Sequence, residues 1–183
     1  SKLGETQKSL DDLKTVLRMD PDHIRARMMH AQAIAETQPD EAITDLTHVI
    51  GIDRENSEAW LRRGLCWQRI ADSDRALADL NVACRLTSAD YRPWLERGRV
   101  LLKLGRVEDA ISDLSRAVQY GTKDANCPYE LGRAFAAGGN DTGAETNFAE
   151  ALSLDPQHSD ALLARAELRT RRGDHDQALA DLH

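Results

Sequence analysis

The chain has 183 residues, of which 41% are hydrophobic, 30% charged and only 4% aromatic, with a formal charge of −7. That acidic balance argues against a general phosphate-binding surface and so against a nucleic-acid partner. No apolar run of about 18 residues occurs, so no membrane insertion is expected, and Ser1-Lys2-Leu3-Gly4-Glu5 does not read as a signal peptide.

Residues 1–22 read as one helix ending at Met19, the second helix of an incomplete unit, with Asp12-Leu13 standing where Asp45-Leu46 stands later. From there the chain falls into units of one length: 23–56, 57–90, 91–124, 125–158, and 159–183, the last truncated in its second helix. The alanines Ala42, Ala76, Ala110, Ala144 and Ala178 step by 34 residues without insertion. A second ladder lies 12 residues earlier at His30, Gly64, Gly98, Gly132 and Ala166, and a third runs through Trp60, Trp94, Pro128 and Leu162. Several ladders in one register are the signature of a repeat array.

Each unit has the residue types of a helical hairpin. Gly64 and Ala76 suit a close crossing of two helices, with Trp60 and Trp67 flanking on the first and Leu77 and Leu80 on the second. Gly105, Gly139 and Gly173 fall between the helices, where a reversal favours positive φ. Asp20-Pro21 and Asp155-Pro156 end helices, because the residue before proline avoids the α region. Such hairpins bury their apolar faces only by stacking on neighbours.

These residues resemble the tetratricopeptide repeat family. The likeness rests on Trp60, Gly64, Trp67, Ala76, Leu80 and Ala83 in one unit and Trp94, Gly98, Leu101, Ala110, Leu114 and Ala117 in the next. Gly132, Phe135, Ala144, Phe148, Ala151 and Asp155-Pro156 extend it. The resemblance covers essentially the whole chain. It implies an all-α, right-handed superhelical solenoid of antiparallel hairpins, with the first helices forming a concave wall. The units would then belong to a longer chain, or to one whose tail was lost, with Leu179 and Leu182 exposed for end-to-end self-association.

Arg63, Arg97 and Arg165 each stand 16 residues before an aspartate (Asp79, Asp113 and Asp181), which predicts a bridge across each hairpin. Leu131 pairs with Asn147 in the same places, and Met29 with Asp45 is an exception. His30 replaces the small residue of its ladder, read as ring packing in an atypical terminal unit rather than as a pH-sensitive ligand-facing group. Cys66, Cys84 and Cys127 share no CxxC spacing, which argues against zinc and disulfides and makes a reducing, cytoplasmic setting the default. Cys66 and Cys84 are expected to be buried and inert, whereas Cys127, at a helix start before Pro128, could have a lowered pKa. Arg172-Gly173-Asp174 and Asp174-His175-Asp176 fall at an interhelix turn and solvated helix start. Asn140-Asp141-Thr142 matches a glycosylation acceptor without a secretory context. No phosphate-cradling glycine loop or nucleophile triad is apparent, so neither an enzyme nor a cofactor is expected.

Inward positions implied by the resemblance carry eight basic residues (Arg27, Arg62, Arg69, Arg92, Arg99, Lys103, Arg133, Arg171) against five acidic ones (Glu58, Glu96, Glu130, Asp160, Glu167), or +3. Met28, Ile34, Leu61, Leu65, Leu95, Leu102, Tyr129 and Leu163 lie among them. The expected groove comprises Arg62, Leu65, Arg69, Arg92, Leu95, Arg99, Leu102, Lys103, Tyr129 and Arg133. It would take a protein or peptide with acidic and hydrophobic residues. The carboxylate clamp of chaperone-binding family members is absent: its places hold Arg27, Ala31, Arg62, Arg92 and Glu96. The alternatives are a structural spacer or self-association element, or a regulatory module of a catalytic domain on a longer chain.

Overall fold

The computed structural model describes residues 2–87 and 89–181, with side chains from residue 8 onward, and every regular element among them is an α-helix. The chain divides into two compact units, 1–88 and 89–183. The first holds α1 (Lys2–Met19), α2 (Ile24–Ile34), α3 (Pro39–Ile52), α4 (Ser57–Arg69) and α5 (Ser73–Leu86). Here α2 pairs with α3 and α4 with α5, while α1 packs on α2 and α3 on α4. The second holds α6 (Arg92–Lys103), α7 (Val107–Tyr120), α8 (Asn126–Ala137), α9 (Asp141–Leu154), α10 (Ser159–Arg172) and α11 (His175–Asp181). Its hairpins are α6–α7, α8–α9 and α10–α11, and α8 touches both α6 and α10.

Local chemistry fixes where the helices begin and turn. The side chains of Asn56, Asp72 and Asn140 accept the third amides of α4, α5 and α9, caps worth about 1 kcal/mol each. His23 and His158 do the same through Nδ1, accepting Ala26 N–H at 3.4 Å and Ala161 N–H at 3.2 Å. In the hairpins of the second unit the chain reverses through a left-handed glycine: Gly105 (φ 73°), Gly139 (φ 76°) and Gly173 (φ 87°). The same ladder position in the α4–α5 hairpin is Ala71, held at φ 60° despite its Cβ.

The helix crossings are tight because the first helix offers no side chain there. A Cβ on Gly64 would lie 3.0 Å from Leu80 Cγ, and one on Gly98 would lie 2.6 Å from Leu114 Cγ. The crossing partner is therefore the leucine of the second helix, with the Ala76 carbonyl 3.5 Å from the Gly64 site. Ala42, Ala76, Ala110 and Ala144 are fully buried beside these contacts, as are Leu80 and Leu114. Trp60, Trp67 and Trp94 are only half-buried: Trp60 donates to the Arg54 carbonyl, Trp67 to the buried Asp79, and Trp94 lies under Arg116.

Two substitutions should move stability in opposite directions. Ala71→Gly relieves a left-handed alanine worth about 1–2 kcal/mol at an entropic cost of about 0.5–1 kcal/mol, so its urea midpoint should rise. Gly98→Ala gains about 1 kcal/mol of helix propensity, but overpacking against Leu114 costs about 1–3 kcal/mol. Its midpoint should fall, and a rise would contradict the tight crossing.

Candidate functional site

Beside the Gly64 and Gly98 crossings, and at the matching place in the α10–α11 hairpin, sits an ion pair. Arg63 grips Asp79 with two bonds, Nε to Oδ2 at 2.7 Å and Nη2 to Oδ1 at 2.8 Å. Arg97 holds Asp113 in the same way at 2.6 and 2.7 Å, and Arg165 holds Asp181. The aspartates are only 5% (Asp79, Asp113) and 7% (Asp181) exposed. A second donor comes from one turn further along the first helix: Trp67 Nε1 to Asp79 at 3.0 Å, and Arg169 Nη1 to Asp181 at 2.9 Å. The guanidiniums also lie over indoles, Arg63 on Trp60 and Arg97 on Trp94, each 4.9 Å from the ring centre. In the α8–α9 hairpin Leu131 is buried and Asn147 turns back to the Gly143 carbonyl at 2.9 Å. Where Met29 supplies no cation, Asp45 takes His30 Nδ1 at 2.6 Å and Arg27 Nη1 at 2.7 Å instead.

The residues read from sequence as a groove divide between the two units. On α4, Arg62 Nε lies 2.6 Å from its own helix neighbour Glu58, Leu65 is half-buried, and Arg69 bonds Glu36 across to the α2–α3 hairpin. On α6, Arg92 turns to Asp90 at 2.7 Å, Leu102 is half-buried and Lys103 is exposed. Leu95 is 5% exposed and belongs to the core, as do Leu61 at 3% and Ile34 at 2%. Their alternation on the first helices is set by packing against the paired helix, so they offer a ligand almost no surface.

Arg99, Tyr129 and Arg133 come together in a charge network that joins α6 to α8. Arg99 donates Nε to Glu130 Oε1 at 2.9 Å and Nη1 to Glu96 Oε1 at 2.7 Å, while Arg133 donates Nη1 to Glu130 Oε2 at 2.8 Å. Burial opposes the charge on Arg99, yet Glu96 and Glu130 outweigh it and hold the guanidinium above its ordinary pKa. Arg133 also lies 5.8 Å from the centre of the Tyr129 ring, which packs on His158 at 4.9 Å and Phe148 at 6.2 Å. Sequence reading placed Glu130 on the wall but gave no sign that it is 5% exposed and takes both arginines.

Beyond Arg133 the wall between α8 and α10 is hollowed. A cavity of about 660 Å³ is lined by Ala136, Ala137, Leu163, Ala166, Glu167, Thr170 and Arg171. It adjoins a smaller one of about 260 Å³ that includes Tyr129 and Arg133. Leu163 is 51% exposed within it. The signal was present in the sequence as Ala136 and Ala137, where the two preceding units carry Gln68 and Arg69, then Leu102 and Lys103.

Cys127 corrects the sequence expectation. Rather than a reactive thiol at a helix start, it is fully buried, and burial, reinforced by Asp124, pushes its pKa up to about 12. Its sulfur sits under Gly121, whose absent Cβ would meet it at 2.8 Å. Cys66 and Cys84 are buried as well, and Cys66 is also raised, by burial. Asp174, His175 and Asp176 are exposed, and no cluster of three or more metal-ligand side chains occurs among the described residues. Nor is any helix among them long and apolar enough to cross a membrane.

Stacked helix hairpins with braced crossings and a partly hollow first-helix wall define a protein-interaction repeat scaffold by class. Residues 71–126, 95–146 and 129–182 match the tetratricopeptide repeat family, and the chain belongs to that family. Among solved structures it resembles PilW, a widely conserved type IV pilus biogenesis factor, at TM-score 0.87 and 18% identity over 98% of this chain and 84% of that one. It also resembles YrrB, a TPR protein with an unusual peptide-binding site, at 0.74 and 19% over 93% and 88%. MamA (41 to the end) from Desulfovibrio magneticus RS-1 is similar at 0.75 and 20% over 85% and 91%. At these identities the likeness is one of fold. No curated protein matches significantly in sequence.

Asp113→Ala takes away the carboxylate that accepts two bonds from the largely buried Arg97 and should cost about 3 kcal/mol in denaturant titrations, most of it regained by Arg97→Met/Asp113→Leu. A neutral single variant would remove the brace from the account. For Cys127, a folded pKa above the ordinary 9.0 means that its burial contributes stability fully below that pH and loses it as pH climbs toward about 12. A disulfide reagent should therefore label no thiol quickly in the native protein at pH 8, and all three after unfolding. One rapid native equivalent would contradict it.

Proposed function

We propose that the chain is a non-catalytic protein-interaction module, binding a peptide or helix of a partner protein along its first-helix wall. The observation that carries this reading is the hollow between α8 and α10, where half-exposed Leu163 stands among alanines. A wall made only for stacking would fill such a space, whereas a ligand's apolar side chain fits it. The peptide-binding site of the similarly folded YrrB supports the same class of function.

In this reading Arg133, Arg171 and Lys103 orient acidic ligand groups, with Tyr129, Leu102 and Leu163 supplying apolar contact. Arg99 has a smaller part, because Glu96 and Glu130 already occupy its guanidinium. Within the first unit Arg62, Leu65 and Arg69 would serve in the same way, and Arg92 within the second, where Leu95 supports the wall from the core.

Peptides selected from a displayed random library against the purified protein provide the test. Their affinity, read by fluorescence polarisation, should fall about tenfold or more in Leu163→Glu/Lys103→Glu, since the change buries a charge against an apolar anchor. Glu150→Lys, on the exposed surface of α9, should leave it unchanged. Equal loss in both variants, or none in the first, moves recognition off the wall.

A further inference from the structure

In the second unit a hollow of about 550 Å³ opens where the α7–α8 and α9–α10 connections meet the start of α6. Its apolar lining is Tyr120 and Leu154, the last residues of α7 and α9 and one ladder position in successive hairpins. They are 44% and 40% exposed, more than core packing requires of residues this large. Tyr91 and His158 add two more rings to the lining. Because His158 Nδ1 accepts the Ala161 amide at 3.2 Å, its ring proton sits on Nε2, where it is a donor.

The hollow is also acidic. Its carboxylates are Asp124 and Asp155, against one cation, Lys123. Burial resists ionisation of Asp124, but hydrogen bonds from Asn126 and from Tyr91, whose hydroxyl donates at 2.9 Å, outweigh it and hold the carboxyl below its ordinary pKa. Arg99, which also acts on Asp124, is already shared between Glu96 and Glu130. Neither α7 nor α9 has a basic residue in its last turn, so their terminal carbonyls add uncompensated partial negative charge. The amide ends of α8 and α10 are met from within, by Asp124 and His158.

We propose that this corner is a second docking site, for a partner-protein segment placing an arginine or lysine beside an aromatic or aliphatic side chain. The cation meets Asp155 and the helix-end carbonyls while the apolar group covers Tyr120 and Leu154. Acidic and phosphorylated segments are repelled. The site lies apart from the hollow between α8 and α10 and does not depend on it, so one protein would take basic segments at the corner and acidic ones along the wall.

Nuclear magnetic resonance of the ¹⁵N-labelled chain tests this with two blocked dipeptides, acetyl-Arg-Trp-amide and acetyl-Glu-Trp-amide. The first should shift amides of residues 121–126 and 155–158, and the second should bind at least about fivefold more weakly, the scale of one exposed charge contact. Asp155→Asn keeps the acceptor that its Oδ1 provides to the Gln157 amide at 3.0 Å, yet should weaken the cationic probe about fivefold. Tyr120→Ser/Leu154→Ser alters only exposed side chains and should abolish the shifts with the helical circular dichroism unchanged. Equal responses to both dipeptides, or no shifts at the corner, overturn the proposal. Shifts confined to Arg133 and Leu163 also overturn it, while favouring the wall.

Discussion

At Gly64, Gly98 and Gly132 the opposing helix sends Leu80, Leu114 or Phe148 into the volume a Cβ would occupy, with nearest approaches of 3.0, 2.6 and 2.7 Å. That approach sets the rest of the hairpin. It carries the residue just before the glycine to within reach of an aspartate on the second helix, so an arginine placed there closes a two-bond brace. The desolvation of such a pair offsets much of its Coulomb gain. Its effect is directional: a bidentate fork fixes rotation and slide, which leucine against glycine alone leaves loose. His30 shows what happens without the glycine. Its ring fills the crossing, and it also serves as donor to Asp45. The histidine at the ladder position and the methionine at the brace position are thus one coordinated departure, with Arg27 completing it. The remaining ring nitrogen of His30 is buried without a partner among the described residues, a cost of about 1–3 kcal/mol.

Charge is organised differently between hairpins than within them. Inside a hairpin the Arg–Asp brace repeats at a fixed spacing of 16 residues. From α6 to α8 the link is Glu130, which holds Arg99 from the neighbouring hairpin and Arg133 from its own helix. Asp124 and Tyr91 form a further tie at the start of α6 and α8, where the carboxylate's bond pushes the Tyr91 phenol up to about 12.

The sequence made the hairpins and their braces legible because both obey the repeat: a residue type recurring every 34 positions has the same job in each unit. Glycine at the turns and Arg–Asp at the crossings could be read off in that way. Ala71 could not, since its place in the ladder implied a glycine backbone while its identity did not. Cys127 was misjudged because a helix start was weighed without Gly121 and the Tyr91 ring that cover the sulfur. Glu130 and the corner hollow were hidden for a related reason. Arg99 with Glu130 and Tyr91 with Asp124 join neighbouring hairpins at separations of 31 and 33 residues, off the 34-residue ladder, and only packing brings them together.

The self-pairing of the wall changes how any ligand laid on it must bind. A ligand carboxylate approaching Arg99 displaces none of that cation's need for charge, because Glu96 and Glu130 already meet it with charge-assisted bonds of 2.7 and 2.9 Å. The ligand gains only the difference between its own bond and the one it perturbs, after paying desolvation of both. Apolar surface at Leu163 has no such competitor, since water is what it would lose. Affinity on this wall must then come from apolar anchorage, while the arginines and their glutamates, already held in place, select the orientation and sign of what lies beside the anchor.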